Sequence, residues 1–397
     1  MNVVIVGGGV AGVSTVAALR AGGFDGDLTL VDAGEFPYDR PPLSKEYLAG
    51  GKDLKQIALR PPYWYDEQRI RLINQSTVTA LRPGHVELAG GLLLRADRVV
   101  LATGGGAARP PIPGAGSPRV HVLRTAEDAD RLRAALTPGA RLLVVGAGLI
   151  GAEVAATAAG LGCEVVLADP VAAPLAAALG PELAAWLHGL HARRGVVTVC
   201  AGVASFEEIR GGIQARFSSG FEPARVFDAV LLGVGMVPAT GLAAPAGLAV
   251  QRGVLVDDRQ VTSNPAVLAV GDAARPRHGP RAEHWEAAQH DGARAAAAIL
   301  GTRPPAPVTP WFWTDRHGLH VEVAGHMEAA HHVVVRGSFD DPAFSVFGLR
   351  DGLVVAAASV DDPNAVRAAR RMIDRRVPAD PGRLSDPSVN LRALLRG

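Results

Sequence analysis

Two phrases constrain this chain more than any other feature: VVIVGGGVAG at residues 3–12, and its near repeat LLVVGAGLIG at 142–151. Each is an apolar run that enters a GxGxxG turn and opens a helix. Glycines remove side chains where a backbone must approach a pyrophosphate, and the helix N-terminus offers free N–H groups and positive potential. In the first copy the β-branched NVVIV leads into Gly7, Gly9 and Gly12, and VSTVAALRAGG follows as a helix closing on glycine. DLTLVD then places Asp32 at the end of a second strand, 20 residues past Gly12, where a carboxylate accepts from ribose hydroxyls. The second copy repeats every element: RLLVV, then Gly146, Gly148 and Gly151, the helix AEVAATAAGLG, and CEVVLAD ending at Asp169. Nothing basic follows Asp169 to meet a 2′-phosphate, so this fold is expected to prefer NAD to NADP. Two such folds in one chain imply two dinucleotides.

A chain of 397 residues has room for two or three domains. Its formal net charge of +1 and balanced halves give no reason to expect nucleic acid as a partner. Cys163 and Cys200 have neither CxxC nor metal spacing, so no disulfide framework and no metal site is expected. No secretory leader is recognisable, and the expected location is cytoplasmic. Residues 229–250 lack charge, but four glycines and two prolines interrupt them, so a buried strand, a loop and a short second strand are expected rather than a membrane span.

ADRVVLATGG (96–105) and PAVLAVGDAARP (265–276) are each an apolar strand running into a glycine turn, the second carrying Asp272. With these in place the chain resembles the FAD-dependent pyridine nucleotide-disulfide oxidoreductase superfamily. The resemblance implies FAD on the first fold, NADH on the second, the ATG turn as the crossing between domains, and the GD motif holding the flavin's ribityl chain. The segment FPYDRPPLSKEYLAG (36–50) narrows the branch, because it offers Ser44 and Lys45 where disulfide reductases and single-cysteine oxidases carry a redox cysteine. YDRPPLSK resembles the ferredoxin reductases that serve aromatic-ring dioxygenases and bacterial cytochrome monooxygenases. The resemblance continues through EHWEAAQHDG, PWFWTD and VVVRGSFDDPAFSVFGL and covers essentially the whole chain.

The resemblance implies flavin contacts at Gly7, Gly9, Ala11, Gly12, Asp32, Arg40, Lys45, Val78, Thr103, Gly104, Arg124, Asp272, Trp285 and Trp313. It implies NAD contacts at Gly146, Gly148, Ile150, Gly151 and Asp169. Ala173 stands where the family carries an arginine that helps hold NADH, which leaves two readings, weaker NADH binding or a different reductant. Lys45 and Glu153 are the candidate catalytic residues, paired beside the flavin by the resemblance; the plainer alternative is a surface lysine and a glutamate stabilised by its helix dipole. Arg367, Arg371 and Arg375 form a helical stripe with Arg370 alongside, read either as a solvated face or, through Arg367, Arg370 and Arg371, as the docking site of an acidic [2Fe-2S] ferredoxin. His188 and His191, also helix-spaced, are expected at the surface.

The expected fold class is α/β. Two doubly wound Rossmann-like domains, FAD (1–108 and 232–305) with NAD (109–231) inserted, precede a small α+β domain at 306–397. The implied activity is NADH:ferredoxin reduction by a flavoprotein, as a monomer or weak homodimer without membrane or nucleic-acid partners. Two alternatives share both folds: an NADH oxidase or peroxidase, and a redox-sensing interaction protein like apoptosis-inducing factor.

Overall fold

The structure is a computed structural model that describes residues 1–218, 223–279 and 281–396. Its contacts divide the chain into two units. The first comprises Met1–Pro42, Lys52–Gly106 and Met236–Pro307; the second comprises Leu43–Gly51, Ala107–Gly235 and Val308–Gly397.

In the first unit β1 (Asn2–Val6) enters α1 (Val10–Ala21), which returns to β2 (Asp27–Val31). These strands form the middle of a five-stranded parallel sheet, ordered Val267–Ala269, Arg98–Leu101, β1, β2, Ile70–Ile73. Parallel strands covered on both faces read as continuous apolar runs, and Val3 to Val6 are all buried. Helix Trp285–Leu300 packs against α1 at Gly292, where a Cβ would come within 2.9 Å of the Ala11 carbonyl and the Thr15 amide. That small residue sets the approach of the two helices.

The second unit repeats the plan with β3 (Arg141–Val145), α2 (Leu149–Gly160) and β4 (Glu164–Ala168). The parallel order is Val197–Val199, β4, β3, Ala229–Leu232, Val120–His121. Ala229–Leu232 is the buried strand expected of the uncharged stretch, and no helix among the described residues is long and apolar enough to cross a membrane. α3 (Pro181–Arg193) follows the glycine-terminated turn at Gly180.

The same unit holds a five-stranded antiparallel sheet in which β5 (Trp311–Arg316), β6 (Leu319–Gly325) and β7 (Leu353–Val360) neighbour Phe344–Arg350 and His332–Arg336 in that order. One face packs Val321, Val323 and Phe344 against Leu183 and Leu187 of α3. The other packs Phe347 and Ala357 against Ala365, Ala369 and Met372 of α4 (Pro363–Arg375). Asp362 caps α4 by accepting from the Ala365 amide, and proline at its first position wants no such partner.

Candidate functional site

In the first unit the glycine turn is closed from behind. A Cβ at Gly12 would overlap the Gly7 carbonyl oxygen, and one at Gly7, whose φ is +113°, would overlap the Ala102 carbonyl. Asp32 accepts from the Gly8 amide at 3.0 Å through Oδ1, which leaves its other oxygen to a ligand hydroxyl. The Arg40 guanidinium lies over Gly9, so a cation and the N-terminus of α1 face the same point. That donor set suits an anion such as a pyrophosphate. Thr103 and Gly104 are held by Ala239, whose carbonyl accepts from the threonine hydroxyl at 2.9 Å and whose amide donates to the Gly104 carbonyl at 2.9 Å.

Ala11 touches the Gly271 backbone, so the turn carrying Asp272 abuts the same helix. Trp285 donates its indole N–H to Asp39, next to Arg40, at 2.8 Å. Val78 is buried in the core beneath the three-stranded sheet Val78–Arg82, His85–Leu88, Leu93–Arg95. One member of this site escaped sequence reasoning. Asp291 accepts from the Gly271 amide at 3.1 Å and from the Gln260 amide side chain at 2.9 Å. Burial pushes its carboxyl up to about 6, against the opposing Gly271 bond. Its only sequence signal was its position nearly two helical turns after the tryptophan in EHWEAAQHDG.

The remaining residues expected at the flavin, Lys45, Arg124 and Trp313, belong to the second unit. There the second glycine turn has the same closure, a Cβ at Gly151 overlapping the Gly146 carbonyl oxygen. Asp169 accepts from the Ala147 and Val171 amides, both at 2.8 Å. The middle glycine differs, since a Cβ at Gly148 would meet nothing within 4 Å. No protein atom needs that space, and Ile150 beside it is 40% exposed. Open space at a helix N-terminus suits a dinucleotide phosphate. Ala173 packs at the edge of the α3 core beside Leu175 and Ala176. Arg124 donates its backbone N–H to Asp128, the third residue of helix Ala126–Ala135 and the partner of its N-cap Thr125 in a capping box.

Lys45 and Glu153 do meet. Glu153, 5% exposed on α2, accepts from Ser44 Oγ at 2.5 Å, Thr314 Oγ1 at 2.8 Å and the Asp315 amide at 3.1 Å. Lys45 Nζ lies 3.3 Å from Glu153 and 2.5 Å from Asp315, with Trp313 5.6 Å beneath it. Burial opposes ionisation of Asp315, but hydrogen bonds and charge from Lys45 and His320 outweigh it and hold its carboxyl below the ordinary range. Asp315 follows the expected aromatic in FWTD by two residues, the spacing of one strand face. Thr157 ties this segment to α2 by donating to the Ser44 carbonyl at 2.8 Å.

The histidines are a correction. His191 is wholly buried and bonds His317 at 2.9 Å, and His188 is half-buried beside it. His191 continues the apolar stripe Leu183, Ala184, Leu187 of α3, so its helical period places it inside. Burial and the Arg316 guanidinium lower His191 to about 3, and burial with Arg194 lowers His317 to about 4. Among the described residues no cluster of histidine, cysteine, aspartate or glutamate has the geometry to hold a metal ion. Of the arginine stripe, Arg367 and Arg371 are exposed, while Arg370 is half-buried over the Trp311 ring.

Two glycine turns, each bonded to its own carboxylate, mark a chain built around two dinucleotide folds. The chain belongs to the pyridine nucleotide-disulphide oxidoreductase family, which matches residues 1–292, and its end matches the reductase C-terminal family at 311–395. It is 39% identical over 409 residues to the ferredoxin reductase component of chlorobenzene dioxygenase from a Cupriavidus species, covering 100% of this chain and 98% of that one. It is 34% identical to rhodocoxin reductase of Rhodococcus erythropolis, covering 100% of this chain and 94% of that one. Its fold matches putidaredoxin reductase in a crystal structure of the covalent complex with putidaredoxin, at TM-score 0.92 and 35% identity, covering 100% and 98%.

Proposed function

We propose that the chain is an FAD-dependent NADH:ferredoxin reductase, passing electrons to a [2Fe-2S] ferredoxin that supplies a monooxygenase or ring dioxygenase. The observation that carries this reading is the pair of preorganised glycine turns in a chain that places Ser44, bonded to Glu153, where disulfide-reducing relatives place a cysteine. Cys163 is buried and Cys200 exposed, each a free thiol. Residues 1–108 and 232–305 would bind FAD, 109–231 NADH, and 306–397 would form the partner-facing domain. The location is cytoplasmic.

Bound FAD supplies the chemistry of accepting a hydride and donating single electrons. The chain's residues bind and orient. Asp32 would take the adenosine ribose of FAD, Arg40 and the Gly9 turn its pyrophosphate, and Asp272 its ribityl chain, with Asp291 fixing the Gly271 amide behind it. Asp169 and the open turn at Gly148 would hold NADH by ribose and phosphate, without the arginine that Ala173 replaces. Lys45, held by Glu153 and Asp315, would offer a fixed ammonium N–H to the cofactor that the resemblance places beside it.

The test is steady-state NADH oxidation by the purified yellow protein with a panel of oxygenase ferredoxins, against oxygen alone, alongside identification of the released cofactor. Ferredoxin should raise turnover at least about tenfold, a difference of about 1.4 kcal/mol in barrier. FMN or no flavin would overturn the first fold's assignment, and turnover indifferent to every ferredoxin would favour the oxidase or redox-sensing reading.

A further inference from the structure

A row of polar side chains crosses the α4 face of the antiparallel sheet. Register pairs Asp315 with His320, Trp313 with Glu322, and Glu322 with Ser359. His320 Nδ1 lies 2.5 Å from Asp315 Oδ1, and its Nε2 lies 3.9 Å from Glu322 Oε1. Asp315 in turn holds Lys45. A chain of ionisable side chains therefore runs from the Lys45 cluster to Glu322.

Glu322 is the unusual member. It is 8% exposed, and its Oε2 has no hydrogen-bond partner among the described residues. Burial pushes its carboxyl up, while His320, Arg367 and Arg370 pull it back. The arginine stripe thus does more than face solvent, because two of its members partly offset the cost of a buried carboxylate. Arg370 also lies 5.7 Å over Trp311, which stacks on Trp313 at 5.1 Å, so that guanidinium is held in place. Arg367, Arg371, Arg375 and Arg376 project outward from the same helix and its C-terminus.

We propose that this surface is a proton-linked docking site for an acidic protein, in which partner carboxylates engage Arg367 and Arg370 and a solvent proton enters the Glu322–His320 pair. The balance is reductase plus partner plus a proton giving the complex. The partner's negative charge neutralises the arginines that favour ionised Glu322, so proton affinity at the pair is higher in the complex than in the free protein. By linkage, binding then tightens as pH falls and reaches its limit below the free protein's own titration. The groups facing the pair are Asp315 and Trp313 from β5, Ser359 from β7, Arg367 and Arg370 from α4, and Asp361, which accepts from the His320 amide. The choice of partner rests on the ferredoxin reading; the proton linkage rests on Glu322.

Titration calorimetry of the FAD-loaded protein tests this, using the oxidised ferredoxin that it reduces fastest, at pH 6 in phosphate and in bis-tris buffers of equal ionic strength. The difference in heat counts protons. Wild type should take up about half to one proton per complex and bind about three- to tenfold tighter at pH 5.5 than at 7.5. Glu322→Gln should still bind but lose at least half of the uptake, with His320→Gln removing part of the rest and Glu322→Asp restoring it. Uptake in wild type equal to that in the Glu322→Gln/His320→Gln double variant assigns the proton to the ferredoxin and overturns the proposal. Unchanged affinity in Arg367→Glu/Arg370→Glu at low salt moves docking elsewhere and overturns it too, while ferredoxin reduction stands. If no ferredoxin is reduced, the function itself falls, and the docking site with it.

Discussion

Glu153→Ala should be the most damaging single truncation in the second unit away from its apolar cores. The carboxylate is almost sealed from solvent and accepts from Ser44, Thr314, the Asp315 amide and Lys45. Hydrogen bonds to charged groups contribute about 1.5–3 kcal/mol each, but members of one network do not add. Breaking a buried ion pair by removing one partner costs about 3–5 kcal/mol. Lys45 keeps Asp315 as a counter-ion, and the two hydroxyls rotate to other acceptors, so the lower end applies, about 3–4 kcal/mol. For a cooperative unit of 150–250 residues that lowers the melting temperature by about 6–16 °C. Scanning calorimetry of the apoprotein is the assay, since it resolves units that melt separately. Glu153→Gln keeps the shape but turns an amide N–H₂ toward one or more donors, and should lose about 1–3 kcal/mol. If both variants melt within a degree of wild type, the network is loosely held and the preorganised charge at Lys45 has no foundation.

Further outcomes are expected. Wild type should use NADH at least about tenfold better than NADPH, because the proposed site would set Asp169 at the 2′-position without a compensating cation; Asp169→Ser with Pro170→Arg should narrow that ratio in kcat/KM, and a wild-type preference for NADPH would refute the assignment. Cys163→Ser with Cys200→Ser should leave ferredoxin-coupled turnover within about threefold, under 1 kcal/mol of barrier, as measured in the same assay. The His191–His317 pair gives acid sensitivity with a definite sign. Both rings titrate lower in the folded chain than the ordinary 6.5, so their stabilising share is intact above pH 6.5 and declines as pH falls toward about 4 for His317 and about 3 for His191. The decline is at most about 1.4 kcal/mol per pH unit for each ring, and His191→Leu/His317→Leu should flatten it in urea titrations at pH 7 and 4.5.

The parallel sheets were legible in the sequence because a glycine turn between a β-branched run and an alanine-rich helix is a local pattern, and Asp32 and Asp169 lie at fixed distances from it. Lys45 and Glu153 were legible only through resemblance, for nothing local joins residues 108 positions apart. Asp315 went unread because its role depends on β5 lying beside α2, whereas strand alternation only says that it shares a face with Trp313. His191 was misread for a different reason. The lack of a third ligand near His188 and His191 says nothing of burial, whereas the spacing of His191 from Leu187 and Ala184 puts it on the buried face of its helix. Glu322 had no legible signal, since its isolation is produced by register with Ser359 and Trp313 and by a helix more than forty residues later.

The division of the chain into interleaved segments bears on how the molecule comes off the ribosome. The sheet of the first unit needs Val267–Ala269 beside Arg98–Leu101, so that strand waits with one edge unpaired while some 165 residues are made. The parallel sheet of the second unit needs nothing beyond Leu232 and can close during that wait. Segment Leu43–Gly51 waits longest, since Glu153 is made early but Asp315 belongs to nearly the last fifth of the chain. The glycine turn made first is therefore completed after the one made second, and stalled or truncated chains should accumulate with the middle folded and the beginning exposed to protease.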